Sequence, residues 1–218
     1  MLLRLLRRSK PDPAVSDKCY LVVGLGNIGA EYAATRHNIG FMILDAWAQA
    51  SNVVFESGRY GDQAVVHDKG REIHLLKPST YMNLSGNAVR YWLQKLDLPQ
   101  DHLLVICDDI NLPFGTLRLR KSGSDGGHNG LGNIQEVLES SDWARLRIGI
   151  GHDFAQGGQI DFVLSDFSEE QRQEIDSIAK KIIGGVRTWC FVGIEQAMNQ
   201  LNARPKEPPR DSDTEVEK

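Results

Sequence analysis

Cysteine is scarce in this 218-residue chain: Cys19, Cys107 and Cys190 are all it has. They lie too far apart for a disulfide framework or a Cys-x-x-Cys metal knuckle. No apolar run reaches the roughly 18 residues that a bilayer-spanning helix needs, and no apolar core with a small-residue cleavage site marks a secretory signal. A net basic charge is lacking too, since the formal charge is −4. A nucleic-acid partner would therefore have to be met by a local patch, against a global field that repels phosphate. No two histidines have the i, i+4 spacing of a helical metal site, and no G-x-S-x-G elbow presents a serine. These absences point to a reducing, cytoplasmic compartment and to chemistry without metal or cofactor. What remains is ordinary: 41% hydrophobic, 25% charged and 7% aromatic residues, the composition of one globular domain.

The two ends differ from the middle. Residues 1–18 hold Arg4, Arg7, Arg8, Lys10 and Lys18 against Asp12 and Asp17 and read as a basic, flexible extension, with an organellar presequence as the alternative. Residues 205–218 hold Pro205, Pro208, Pro209 and alternating acids, which reads as a disordered acidic tail. The domain is expected over 19–204.

Within it, strands and helices alternate. CYLVVG (19–24) and LLVICD (103–108) are short apolar runs suited to buried strands. AVVH (64–67) and IHLLK (73–77) flank Asp68-Lys69-Gly70 as a hairpin. TLRLR (116–120) alternates as a strand with one solvated face, and ARLRIGI (144–150) supplies another. Helical spacing runs from Asn38 to about Ser51, from about Gly86 to before Pro99, near 130–139, and after a Ser168–Gln171 capping box. The fold expected is a single α/β domain whose twisted, mixed, partly parallel sheet is covered by helices on both faces.

Gly24-Leu25-Gly26-Asn27-Ile28-Gly29 follows a strand and satisfies the dinucleotide fingerprint G-x-G-x-x-G. Its context fails, because Asp45, at the right distance for the ribose acid, falls inside a helix. A glycine-rich loop that lets backbone and the Asn27 amide approach a ligand survives that test. His37 lies where this loop turns into a helix, whereas His128, in Gly126-Gly127-His128-Asn129-Gly130, reads equally as part of a turn. Asp108-Asp109 ends a strand, where α/β sheets place their sites, though an Asx turn explains it as well. Arg118 with Arg120 and Arg145 with Arg147 share strand faces, either as a solvated surface or as the local basic patch.

VVGLGNIGAEYAATRHNIGF (22–41), KPSTYMNLSGNAV (77–89), CDDINLPFGTLRLR (107–120), GGHNGL (126–131) and RLRIGIG (145–151) together resemble the bacterial-type peptidyl-tRNA hydrolase family. The resemblance covers 20 to about 200 and rests on the joint order of the motifs. It implies a cytoplasmic, monomeric, metal-free esterase that releases tRNA from peptidyl-tRNA at the acceptor end and needs no membrane. It assigns His37 as general base and Asp108 as its orienting carboxylate. Asn27, Asn83 and Asn129 hold peptide, ester and water; Tyr32 and Tyr81 line the cleft; Arg118, Arg120 and Arg147 meet tRNA phosphates. Two residues depart from the family pattern, Cys107 before the aspartate and Asn111 after it. A non-catalytic, splicing-factor-like RNA-binding relative of the fold is the alternative reading.

Overall fold

A computed structural model describes residues 18–203; the expectations for the basic leader and the acidic tail otherwise fall outside it. Seven strands, β1 (Cys19–Gly24), β2 (Glu56–Gly58), β3 (Gly61–Asp68), β4 (Arg71–Pro78), β5 (Leu103–Asp109), β6 (Leu117–Arg120) and β7 (Ala144–Gly149), form one sheet in the order β2-β3-β4-β1-β5-β7-β6. The four central strands β4, β1, β5 and β7 run parallel, and the outer pairings β2–β3, β3–β4 and β6–β7 are antiparallel.

The parallel strands are the apolar runs. β5 is buried along its whole length and β1 along all but Cys19, as strands covered on both faces must be. On one face α1 (Ile39–Ala50), α5 (Glu169–Phe191) and α6 (Ile194–Leu201) close over Val22, Leu104, Ile106 and Leu146. On the other, α2 (Ser85–Leu96) and α3 (Asn129–Leu138) close over Leu21, Val23, Leu103 and Val105. The mixed sheet with helices on both faces is therefore as the sequence implied.

The capping box that starts α5 forms as read, with the Ser168 hydroxyl accepting from the Gln171 amide. The sequence did not separate α6 from α5; Gly193, at φ 119°, turns the chain between them. It also missed the short β2 and the five-residue α4 (Gln159–Val163).

Why glycines follow β1 is a matter of contact. A Cβ on Gly24 would lie 2.3 Å from the Gly40 carbonyl oxygen, and one on Gly40 would lie 2.5 Å from the Leu25 backbone. The end of β1 and the first turn of α1 thus meet backbone to backbone, which side chains would forbid. The sheet order also explains where a site belongs. β1 connects outward to β4 on one side and lies beside β5 on the other, so the carboxyl ends of β1 and β5 flank a topological switch point.

Candidate active site

Asp108 is the sixth residue of β5 and is 3% exposed. A buried carboxylate is tolerated only with partners, and this one has two. His37 Nδ1 lies 2.8 Å from its Oδ1, and His128 Nε2 lies 3.1 Å from the same oxygen. His37 arrives on a 3₁₀ turn, Arg36–Asn38, that runs into α1. His128 arrives as the N-cap of α3, where its Nδ1 accepts the backbone N–H of Gly130 at 3.1 Å and of Leu131 at 3.4 Å.

These contacts fix the protons. An Nδ1 that accepts from two backbone amides holds a lone pair, so His128 carries its proton on Nε2 and donates it to Asp108. Asp108 Oδ1 accepts likewise from His37 Nδ1–H, which leaves the lone pair of His37 on Nε2. Burial by itself would raise the Asp108 pKa; the two imidazoles outweigh it and hold the carboxyl well below its usual range. For His37, burial pulls the pKa down, but the hydrogen bond and charge of Asp108 overcome it and the net shift is upward.

The oxygen and nitrogen atoms of this cluster lie close enough to suggest a metal, yet the hydrogen bonds argue against one. Metal on His128 Nε2 would displace its only proton while Nδ1 stays an acceptor of two amides, leaving an imidazolate at a helix terminus.

The adjacent carboxylate has a different use. Asp109 accepts the Asn111 amide at 2.8 Å and pairs with the Arg147 guanidinium at 3.1 Å, so it shapes the loop after β5. Arg147 also donates to the Ser124 carbonyl at 2.7 Å. Gly126, at φ 58°, leaves room for that guanidinium where a Cβ would strike it. Together His37, Asp108, His128, Asn129, Arg147 and, from α4, Ile160 line one cleft. Beside it, Asn27, Asn38, Phe41 and Lys77 line a second recess. Within this recess the 2%-exposed Asn38 clamps the glycine loop, accepting the Asn27 N–H at 2.8 Å and donating to the Asn27 carbonyl at 2.9 Å.

The profile of the family described as "Peptidyl-tRNA hydrolase" matches residues 21–209. The chain belongs to this family. It is 56% identical over 185 residues to the peptidyl-tRNA hydrolase of Phocaeicola vulgatus, covering 85% of this chain and 99% of that protein. The Bacteroides fragilis peptidyl-tRNA hydrolase is 55% identical over the same shares. Among solved structures, the peptidyl-tRNA hydrolase of Acinetobacter baumannii superposes with a TM-score of 0.80 at 32% identity, covering 87% of this chain and 96% of that one.

Set on this peptidyl-tRNA hydrolase fold, the residues singled out from sequence fall into groups. His37, Asp108, Asn129 and Arg147 share the first cleft, and Asn27 lines the recess beside it. Asn83 and Tyr81 are exposed at the 3₁₀ turn Met82–Leu84, and Tyr32, half-buried, ends another, Ala30–Tyr32; none of the three lines either recess. Arg118 and Arg120 stand exposed on the edge strand β6.

Arg145 is a correction. Read as one of two patch-forming pairs, it is 1% exposed, its guanidinium 3.8 Å over the Trp143 ring and bonded to the carbonyls of Gly123, Ser124 and Ser141. The loop that follows β6 covers this inner strand, so alternation alone could not show which arginines reach solvent. Asp45, the distance match for a ribose acid, sits in α1 and pairs with Lys77 at 2.6 Å. Two residues escaped the sequence reading: His128 as a partner of Asp108, and Asn38 as the clamp on the glycine loop. Cys107 is fully buried, and burial, then Asp108, push its thiol far above the ordinary range, which removes it as a nucleophile.

Proposed function

We propose that the chain hydrolyses the ester between a peptide and the 3′ ribose of its tRNA, and that the His37–Asp108 pair carries the chemistry. What supports this most is the buried carboxylate that leaves His37 Nε2 as the basic nitrogen, in a cleft at the switch point of a peptidyl-tRNA hydrolase fold.

Asp108 accepts from Nδ1, so Nε2 takes a proton from water as the water oxygen attacks the ester carbonyl. The resulting imidazolium faces Asp108, whose charge stabilises it. It then returns the proton to the departing 3′ ribose oxygen, and the products are a free peptide carboxylate and tRNA with an intact 3′ hydroxyl. His128 acts through Asp108: its donated N–H keeps the carboxylate ionised and in place. Asn129, at the start of α3, and Asn27, on the clamped glycine loop, are proposed to donate to the carbonyl oxygen and the peptide; one such donor is worth about 3 kcal/mol in comparable sites. Asn83, Tyr81 and Tyr32 are proposed to meet the substrate beyond the two recesses. Arg118 and Arg120 are the exposed cations for tRNA phosphates, while Arg147, paired with Asp109, contributes from the wall of the cleft. A role limited to RNA binding leaves this buried histidine–carboxylate assembly without use.

The test is release of tRNA from N-acetyl-aminoacyl-tRNA by the purified protein and by His37→Ala. Turnover should fall by roughly 10²–10⁴-fold while tRNA binding persists. A variant that turns over normally removes His37 from the mechanism.

A further inference from the structure

A second cluster of ligand-type side chains lies at the opposite end of the sheet, about 17 Å of strand away from the glycine loop. Cys19 begins β1, and Glu72 and His74 lie on the neighbouring β4; in the parallel ladder Cys19 pairs with Glu72 and Leu21 with His74. The Cys19 Sγ, a Glu72 carboxylate oxygen and a His74 ring nitrogen all lie within 4.8 Å of one another. Their exposure is graded: His74 is 4% exposed, Cys19 is half-buried, and Glu72 opens to solvent. His74 Nε2 lies 2.6 Å from Glu72 Oε1, and its Nδ1 lies 2.5 Å from Gln63 Nε2.

We propose that Cys19, Glu72 and His74 form a binding site for a borderline-soft divalent cation, Zn²⁺, with Gln63 holding the far side of the imidazole and solvent water as fourth ligand. Sulfur, imidazole nitrogen and carboxylate oxygen are the donor types zinc takes. Tetrahedral bonds of 2.0–2.3 Å set ligand atoms ~3.5 Å apart, so the Cys19 sulfur, within 4.8 Å of the other two, has to close by about an ångström while the Glu72 oxygen, 2.6 Å from His74 Nε2, backs away by about as much, movements that a cysteine at a strand end and an exposed glutamate can supply.

The proton balance works here where it fails at His128. Before binding, Gln63 donates its amide to His74 Nδ1, and His74 Nε2–H donates to Glu72. A turn of the Gln63 amide presents its oxygen instead, Nδ1 takes a proton, and Nε2 is free for metal. That far-side hydrogen bond is the usual support of a metal-bound imidazole. At His128 the corresponding donors are backbone amides of α3, which cannot turn. Zinc takes cysteine as the thiolate, so the Cys19 thiol proton leaves on binding and one proton is released per ion bound. The thiolate and Glu72 then bring two negative charges against Lys95, whose charge opposes a cation at His74.

Untagged, chelator-treated full-length protein titrated with Co²⁺ should develop one equivalent of a near-ultraviolet thiolate-to-cobalt charge-transfer band that Zn²⁺ abolishes. Cys19→Ser should lose the band, and both it and Glu72→Gln should weaken Zn²⁺ in a chelator-competition assay by roughly 100-fold; Gln63→Leu should weaken it by about 10- to 100-fold. His37→Ala should bind as the wild type does. Glu72 is exposed, so its variant tests the site even if a change at His74 costs folding. The proposal is overturned if no band forms, if the band survives in Cys19→Ser, if Glu72→Gln binds zinc at wild-type affinity, or if His37→Ala abolishes binding.

Discussion

Among the described residues, the His37–Asp108 pair at 2.8 Å and the His74–Glu72 pair at 2.6 Å are nearly equal in length, yet the two histidines shift in opposite directions. Burial pulls both imidazoles down. At His37 the hydrogen bond and charge of Asp108 win and the pKa rises; at His74 burial wins over Glu72 and the pKa falls. What differs is the carboxylate. The Asp108 side chain is 4% exposed and that of Glu72 47%, so the first charge acts through protein and the second largely through water. A short hydrogen bond alone does not raise a buried imidazole's pKa; a carboxylate kept dry, and kept ionised by a second donor, does.

The strongest way to break this comparison is Asp108→Asn. It fills the same volume but withdraws the charge and permits the wrong His37 tautomer, so kcat/KM on N-acetyl-aminoacyl-tRNA should fall by roughly 10²–10⁴-fold. With only burial left, the His37 pKa should drop below its ordinary value, carrying the acid limb of any residual rate profile to lower pH. An unchanged rate and profile would make Asp108 structural. The same pair fixes the sign of the stability profile. Because the Asp108 pKa is depressed, its contribution is present above the unfolded value of about 3.9 and lost as pH falls below it. Because the His37 pKa is raised, its contribution is present below about 6.5 and lost as pH rises through the folded value. Denaturant midpoints measured across pH should lose the Asp108 dependence in Asp108→Asn and show the His37 dependence with its sign reversed, because burial alone then depresses that pKa.

His128→Ala should act more mildly and in the opposite sense on pH. Losing its N–H leaves the Asp108 charge concentrated on His37, so the acid limb should move to higher pH while the rate falls by about 10- to 100-fold. The helix loses an N-cap as well, so a conservative His128→Asn variant, which can cap but reaches Asp108 less well, separates the two roles. If the acid limb moves down in both, His128 does not act through Asp108.

The arginines extend the contrast between dry and wet charges to a single sheet face. Arg118 and Arg120 on β6 pair in register with Arg147 and Arg145 on β7, but only the edge-strand residues are exposed. Replacing Arg118 or Arg120 by Gln should lower the slope of log K against log[salt] for tRNA by up to about one unit per lost phosphate contact. Arg145→Gln should destabilise the protein instead, by unpinning the Gly123–Ser124 loop from Trp143. An unchanged salt slope in both edge variants would place tRNA elsewhere.

Much of the fold was legible because its signals are local. β1 and β5 are apolar runs, α1 and α2 follow their periodicity, and Ser168–Gln171 marks the start of α5. His37 and Asp108 could be picked out by their places, a loop entering a helix and the end of a strand. That they touch is set by the backbone contact of Gly24 with Gly40, which brings β1 and α1 together and which no spacing reveals. His128 was unreadable for a related reason: an imidazole is not an expected N-cap, and its pairing with Asp108 depends on where α3 docks. Asn38 looks like any helix-start asparagine until its side chain is seen bridging the Asn27 amide and carbonyl. Arg145 misled because strand alternation tells which face a residue shares, not whether a loop covers that face.

The smallest effect, and the sharpest check on the comparison, comes from Glu72→Gln in metal-free protein. Glu72 holds the His74 pKa up, against burial, by charge and hydrogen bond. Removing the charge should lower the His74 pKa further, but only slightly, because a half-exposed carboxylate is already screened by water and salt. Imidazole proton titration by NMR should therefore show a smaller displacement of His74 in this variant than of His37 in Asp108→Asn, with kcat/KM unchanged because the pair lies at the other end of the sheet. The two displacements should also respond differently to ionic strength, shrinking with added salt for His74 and staying nearly constant for His37. Equal displacements, or equal salt sensitivity, would mean that carboxylate burial is not what separates the His37–Asp108 pair from its counterpart.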